Sequence, residues 1–138
     1  SISHADNLGF AAAFNDTLLL GIDIEKHQDE RASYLQEYLM DKEKMYTSMS
    51  ELTLLWSAKE ALSKCLKIGL TSSFELYQIK QWNLIHDLYQ IEFRYFPQFK
   101  CSSFFVDSYV FSVVTLADFT PDLSGFKKKI AENNLKSW

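Results

Sequence analysis

The alternation of apolar and polar residues predicts a β-hairpin near the start of the chain. Residues 9–14 and 18–24 are apolar runs separated by a polar segment at 15–17, a pattern typical of two strands and their turn. At the end of the second run, isoleucines alternate with Asp23 and Glu25, and alternate residues of a strand point to opposite faces. The two carboxylates are therefore expected on one face of a strand end.

Helical periodicity replaces this alternation in the middle of the chain. Residues 32–48 indicate an interrupted helix, with Asp41 as the cap of a short second helix. Residues 51–68 predict the clearest helix, and Gly69 follows where a left-handed C-terminal cap is expected. The apolar stripe of this helix comprises Leu52, Leu55, Trp56, Leu62 and Leu66.

Strand-like alternation returns in the last part of the chain. Residues 74–82 and 88–96 predict two strands, and residues 104–117 predict a hairpin that turns at 107–108. A basic amphipathic segment at 126–135 closes the chain. A hairpin, then helices, then a meander indicate an α+β fold in which a small antiparallel sheet packs against a long helix.

Length and composition predict one domain over residues 1–138. Hydrophobic residues make up 47% of the chain, which excludes disorder. No apolar run approaches the roughly 20 residues that span a bilayer, and no signal peptide precedes the first run, so a cytoplasmic protein is expected. Cys65 and Cys101 are too few for a disulfide scaffold and are expected to be reduced.

The charge is divided unevenly along the chain. The net charge is −4, and residues 1–58 carry ten acids and four bases, whereas residues 59–138 carry eight acids and ten bases. Neither half has the basic excess of a nucleic-acid binder, so no nucleic-acid partner is expected. The acidic half is suited to a divalent cation, and the later lysines are suited to an anion.

The spacing of three carboxylates gives a first hypothesis about chemistry. Asp23 and Glu25 leave a strand at roughly 6–7 Å spacing, and they repel each other unless a cation or a proton intervenes. Glu60 lies on the predicted helix with Lys64 one turn later. Oxygen ligands beside lysines fit Mg²⁺ shared with a phosphate-bearing substrate. On spacing alone, a solvated acidic pair and a surface Glu60–Lys64 ion pair are favoured over a metal site.

The identities of the surrounding residues narrow these alternatives. GIDIE at 21–25 and WSAKEALSK at 56–64 closely resemble the two signature motifs of the 4'-phosphopantetheinyl transferase superfamily. SISHAD at 1–6 resembles the Ser-His motif of the surfactin-synthetase-activating type. KIGL at 67–70 and VDSYVFSVVTLADF at 106–119 resemble the later segments of that type.

The resemblance implies a role for each matched residue. Asp23, Glu25 and Glu60 match acids that bind Mg²⁺, which in turn holds the pyrophosphate of coenzyme A. Lys64 matches the lysine that neutralises the pyrophosphate and assists departure of 3',5'-ADP. Lys59 matches a residue that contacts the phosphates of coenzyme A.

The resemblance also implies the reaction and its partners. A serine of an acyl or peptidyl carrier protein attacks the β-phosphate of coenzyme A and receives the phosphopantetheine arm. Ser3 and His4 match the pair that contacts the 3'-phosphate. Glu60 is the preferred proton acceptor, although another carboxylate or a metal-bound water satisfies the same chemistry.

Several other polar residues receive only default interpretations. Glu43 loosely matches a family glutamate, but a solvated helix acid is favoured. His27 and His86 are expected on the surface. The lysines at 127–129 are expected to be a solvated helix face, with contact to an acidic carrier protein as the alternative.

The resemblance leaves three alternatives open. The surfactin-synthetase-activating type is a pseudo-dimer with coenzyme A between two halves, and this chain resembles the second half plus the Ser-His motif. The chain starts at Ser1 without a methionine, so it is expected either to be a fragment of a longer protein or to complete its coenzyme A cleft by self-association. The alternatives are a non-catalytic half that binds coenzyme A or a carrier protein, a homotrimeric holo-acyl-carrier-protein synthase, which residues 1–6 fit poorly, and a generic α+β interaction domain.

Overall fold

The described part of the chain folds into a five-stranded antiparallel sheet covered on both faces and a separate two-stranded hairpin. The structure is a computed structural model that describes residues 1–44, 47–71 and 73–133. The strands in this part of the chain are β1 (Ile2–Ala5), β2 (Leu8–Ala11), β3 (Leu20–Lys26), β4 (Ile79–Ile85), β5 (Leu88–Phe93), β6 (Phe99–Val106) and β7 (Tyr109–Leu116). The α-helices are α1 (Asp29–Leu35), α2 (Asp41–Lys44), α3 (Met49–Leu66) and α4 (Leu123–Glu132). Short 3-10 helices cover Gln36–Tyr38, Gly69–Thr71 and Phe74–Tyr77.

The five longer strands form the sheet in the order β3-β7-β6-β5-β4, with every neighbouring pair antiparallel. Helix α3 packs on one face, and its core includes Leu55, Leu62, Ile91 and Val114. The β1–β2 hairpin and α4 pack on the other face. This arrangement confirms the α+β class and the long helix against a small antiparallel sheet.

Helix α3 begins and ends at residues whose local chemistry explains its length. Ser48 and Glu51 form a capping box, in which each side chain accepts from the other residue's backbone N–H. The helix ends at Leu66, and its C-cap Lys67 takes the left-handed conformation (φ 59°) that was expected of Gly69. Gly69 also has a positive φ, two residues further on. The helix therefore runs two residues earlier at each end than predicted.

The predicted pairing of residues 9–14 with 18–24 is wrong. Strand β2 pairs with β1, through a tight turn in which Asp6 has a φ of 52°. Strand β3 pairs instead with β7, in a register that places Asp23 opposite Ser112. Residues 12–17 contain no strand. The pairing of β3 is decided by burial against a strand some ninety residues later rather than by the local turn.

The other predicted elements are confirmed with shifted boundaries. The turn at 107–108 joins β6 to β7, and Asp107 has a positive φ. Residues 74–77 form a 3-10 helix, so β4 begins later than predicted. Helix α4 begins at Leu123, three residues early, while residues 134–135 of the predicted segment lie outside the described residues.

The interrupted helix predicted at 32–48 is α1, a 3-10 turn and α2, with α2 starting at Asp41. Residues 45–46 of that prediction lie outside the described residues. Within residues 1–44, 47–71 and 73–133, no helix combines the length and apolar character needed to cross a membrane.

Candidate functional site

Asp23 lies at the contact between β3 and α3, where its carboxylate is almost completely buried at 3% exposure. The Ser3 hydroxyl and the Lys64 ammonium each donate to its Oδ1, both at 2.8 Å. The Ser57 hydroxyl donates to its Oδ2 at 2.9 Å. Burial raises the pKa of Asp23, and the charge of Lys64 and these three hydrogen bonds oppose that rise.

A close approach of two backbones makes this contact geometrically feasible. A Cβ atom on Gly21 would lie 2.0 Å from the Ala61 carbonyl oxygen and 2.5 Å from the Cys65 backbone nitrogen. Only glycine therefore allows β3 to pack this closely against α3. The glycine of the GIDIE motif brings Asp23 within hydrogen-bond distance of Ser57 and Lys64 on the helix.

Glu25 lies one pleat further along the same face of β3. Its Oε1 accepts from the Trp56 indole Nε1 at 3.3 Å, and the Arg31 guanidinium lies 3.2 Å from its Oε2. Burial, and after it the charge of Asp23, raises the pKa of Glu25 to about 7. Arg31 and Trp56 favour the ionised form but only partly offset this rise.

Glu60 projects from α3 toward the same acidic group. Burial, followed by the charge of Asp23, raises its pKa, while Lys64 and Arg31 act in the opposite direction. Within the described part of the chain, its carboxylate makes neither a hydrogen bond nor an ion pair. Glu60 is half-buried and is therefore the carboxylate of the three that is most open to an added partner.

The three acids form an electrostatically frustrated group. The charge of Asp23 raises the pKa values of both Glu25 and Glu60, and the charge of Glu60 raises that of Glu25. An added cation relieves such repulsion, and carboxylate oxygens are the ligands that Mg²⁺ prefers. As the side chains stand, no three acids, histidines or cysteines of the described residues are close enough together to hold a metal ion. Lys64 instead supplies the positive charge beside Asp23.

Lys59 lies away from this group. Its side chain is fully buried and its ammonium lies 2.7 Å from Oε2 of Glu43, which is also buried. The Glu43 carboxylate also accepts from the backbone N–H groups of Met40 and Ile79. The interpretation of Glu43 as a solvated helix acid is therefore wrong, because that carboxylate ties α2, α3 and β4 together.

Ser3 and His4 point in opposite directions, as neighbours on a strand do. Ser3 faces inward to Asp23, and the His4 side chain is exposed. His27 is only partly exposed, with its ring between the Thr53 hydroxyl at 2.9 Å and Asp29 at 3.0 Å. The expectation of a free surface histidine at 27 is therefore wrong, whereas His86 is exposed in the β4–β5 turn.

Sequence reasoning missed two residues of the site, Ser57 and Arg31. Ser57 lies inside the WSAKE motif, and the spacing from Ser57 to Lys64, two helical turns, would have placed both on one face. Arg31 had no comparable signal, because its contact with Glu25 depends on how α1 folds back against β3.

A cavity of about 310 Å³ opens beside Lys64. Its lining combines two lysines with apolar side chains from three segments of the chain, namely Ser1, Ile2, Phe14, Leu20, Lys64 and Lys67. Cationic and apolar groups in one cleft suit a ligand that carries both phosphates and an uncharged arm.

Comparison with known proteins identifies the family. A family model described as the 4'-phosphopantetheinyl transferase superfamily matches residues 19–114, a range that includes all three carboxylates and Lys64. The chain belongs to this superfamily. Its domain is thus that of a transferase of phosphopantetheine, in a family that uses coenzyme A, generally with Mg²⁺, and acts on carrier proteins. No curated protein matches the chain.

Proposed function

We propose that this chain transfers the 4'-phosphopantetheine arm of coenzyme A to a serine of an acyl or peptidyl carrier protein in a Mg²⁺-dependent reaction. The observation that carries the proposal is that Asp23, Glu25 and Glu60 interact electrostatically, with Lys64 paired to Asp23, inside the region that the family matches. Burial and the charge of Asp23 raise the pKa values of Glu25 and Glu60, an arrangement that is unfavourable for stability and is therefore better explained by a ligand than by folding.

Asp23, Glu25 and Glu60 are the residues that would hold Mg²⁺. Their donor atoms are all oxygens, and their mutual repulsion is the electrostatic condition that a cation relieves. When bound, the ion supplies positive charge that offsets the charge developing on the pyrophosphate during transfer.

Lys64 is the proposed phosphate partner. Its side chain is 29% exposed and borders the cavity, so it reaches Asp23 and an incoming anion from the same position. Lys67 lines the same cavity. The carrier serine oxygen attacks the β-phosphorus, the bond from that phosphorus to the bridging oxygen breaks, and 3',5'-ADP leaves with the negative charge that Lys64 stabilises.

Glu60 is the proposed acceptor of the serine proton. Its carboxylate is half-buried, has a raised pKa and makes no hydrogen bond or ion pair within residues 1–44, 47–71 and 73–133. A carboxylate with a raised pKa is a stronger base than a solvated one. The same group would serve both as a metal ligand and as the base.

The hairpin supports a finer assignment within the family. The SISHAD segment at 1–6 lies outside the family match and resembles the surfactin-synthetase-activating type. The exposed His4 is the proposed contact to the 3'-phosphate of coenzyme A. The expected phosphate contact of Lys59 has no support in its buried position, and we propose instead that Lys59 holds α3 in place.

The test uses the full chain, coenzyme A, Mg²⁺ and an apo carrier protein, with the intact mass of the carrier as the readout. Addition of the arm is expected with the wild type, and its loss is expected in Asp23→Ala and Glu60→Ala. Glu92→Ala, at an exposed acid of β5, is the matched control and retains transfer. Transfer that persists in both site variants overturns the proposal.

The second candidate function is a half that binds without turnover. It is favoured by the open cavity beside Lys64, which a second protein surface is suited to cover. Saturable binding of coenzyme A with no mass added to the carrier supports this candidate. Light scattering on the same sample tests self-association, and a monomeric species with full transfer activity excludes the need for a second copy.

A further inference from the structure

The β1–β2 hairpin lies along the free edge of β3, and serine side chains make the contacts. Strand β3 is at the end of the sheet, so its outer N–H groups have no strand partner. The Ile22 N–H donates to the Ser1 hydroxyl at 3.2 Å, and the Ile24 N–H donates to the Ser3 hydroxyl at 3.1 Å. Two serines spaced two apart thus satisfy two backbone donors with the same spacing.

Ser3 makes one contact that Ser1 does not make. Its hydroxyl accepts from Ile24 and donates its own hydrogen to Asp23 Oδ1 at 2.8 Å, in a position only 6% exposed. Because the Ser3 oxygen accepts from the fixed Ile24 N–H, its own O–H has few orientations left, and one of them points at Asp23. The hairpin therefore orients the carboxylate of Asp23.

The hairpin is held firmly enough to perform this role. Lys26, at the end of β3, forms an ion pair with Asp6 in the hairpin turn at 2.6 Å. The Tyr109 hydroxyl donates to the same carboxylate. Leu8 and Phe10 are buried in the core between the hairpin, the sheet and α4. The contacts come from both ends of the hairpin, so its position relative to β3 is set.

We propose that Ser3 is a positioning residue for Asp23 and that the docked hairpin completes the metal site of this chain. This inference rests on the proposed function, since it takes Asp23 as a ligand of Mg²⁺. It differs from the expectation that Ser3 contacts a phosphate of coenzyme A, because the hydroxyl is turned inward. The family match begins at residue 19, so the hairpin is an element outside the matched region.

The test compares Ser3→Ala with Ser1→Ala in the full chain. Each variant removes one acceptor from the β3 edge, but only Ser3→Ala removes a donor to Asp23. The readout is the Mg²⁺ concentration that gives half of the maximal rise in melting temperature. Ser3→Ala is expected to raise that concentration about tenfold, as losses of partners to metal ligands do, while Ser1→Ala leaves it within about twofold.

Ser3→Thr keeps the hydroxyl and is expected to have the wild-type Mg²⁺ dependence. If Ser3 only filled space in the structure, keeping its hydroxyl would not by itself preserve that dependence. Equal Mg²⁺ dependence in Ser3→Ala and Ser1→Ala overturns the inference. If Ser3→Ala does not fold, Ser3→Cys, which keeps the size of the side chain but donates only weakly to Oδ1, is measured instead, and an unchanged Mg²⁺ dependence there overturns the inference. Absence of any Mg²⁺ effect in the wild type overturns the proposed metal site itself, which is a different result.

Discussion

Lys59 and Glu43 form an ion pair from which solvent is excluded. Both side chains are buried, their charged atoms are 2.7 Å apart, and burial lowers the pKa of Lys59 while Glu43 opposes that shift. Burial of two charges is costly, but removal of one partner leaves the other uncompensated. Substitution of either residue is therefore expected to lower the free energy of unfolding more than substitution of a solvated lysine does.

Lys59→Met is expected to lower the free energy of unfolding by about 3–5 kcal/mol, because it leaves the Glu43 carboxylate buried without its cation. Urea unfolding measures this change. Lys128→Met, at a lysine 77% exposed, is the control and is expected to change stability by less than about 0.5 kcal/mol. A Lys59→Met protein as stable as the wild type but unable to bind coenzyme A would instead support the phosphate contact implied by the resemblance.

The two cysteines are expected to be unreactive in the folded protein. Burial raises the pKa of Cys65 to about 11 and that of Cys101 to about 12, and the thiolate is the reactive form. At pH 8 both thiols are therefore protonated, and their reactivity increases only as the pH approaches those values. Ellman's reagent at pH 8 is expected to label neither cysteine rapidly in buffer and both in urea. Rapid labelling of the native protein would contradict their burial.

Helix α3 holds several residues of the candidate site, and the capping box in its first turn is expected to contribute to its stability. Ser48 is exposed, yet its hydroxyl accepts from the Glu51 N–H and the Glu51 carboxylate accepts from the Ser48 N–H. Ser48→Ala leaves the Glu51 N–H without this acceptor and is expected to lower the free energy of unfolding by about 1 kcal/mol. Ser124→Ala, at an exposed position in α4, is the control. Equal stabilities of the two variants in urea unfolding would show that the cap does not stabilise α3.

The elements that sequence predicted well are those set by local chemistry. The alternation around Asp23 and Glu25 predicted one shared face, and the 107–108 turn followed from its polar residues. The pairing of β3 was not predictable in this way, because β7 competes with the nearby β2 from far along the chain. Local pattern determines which face a side chain occupies, whereas burial of the whole sheet determines which strand lies beside it.

The residues of the candidate site also fall into those that local sequence predicts and those that contacts between distant elements determine. The motif residues on β3 and α3 were predicted because their periodicity and identity are local. Ser3 was matched to a phosphate contact, but its hydroxyl turns to Asp23 because the hairpin docks on the β3 edge. Glu43 was interpreted as solvated because nothing near it in sequence shows that Lys59 and the Ile79 N–H surround it. Both contacts join elements that are distant in sequence.

At the scale of the whole molecule, the core around α3 and the core around α4 lie on opposite faces of the five-stranded sheet. Strands β6 and β7 lie in the interior of that sheet, and residues 110–115 of β7 are all buried. The side chains of these strands reach the core around α3 on one face and the core around α4 on the other. Loss of either layer exposes the other through the strands common to both, so the described part of the chain is expected to unfold as one cooperative unit.

Hydrogen exchange tests this cooperativity strand by strand. Amides of β6 and β7 are expected to exchange only through global unfolding, so their opening free energies equal the stability from urea unfolding and decrease with the same urea dependence. Edge strand β4, mostly exposed, is expected to exchange through local opening, with a lower free energy and little urea dependence. If the amides of α3 and α4 opened with different free energies, the layers would unfold separately. The hairpin would then detach from β3 without loss of the sheet, and the orientation of Asp23 would depend on that local equilibrium.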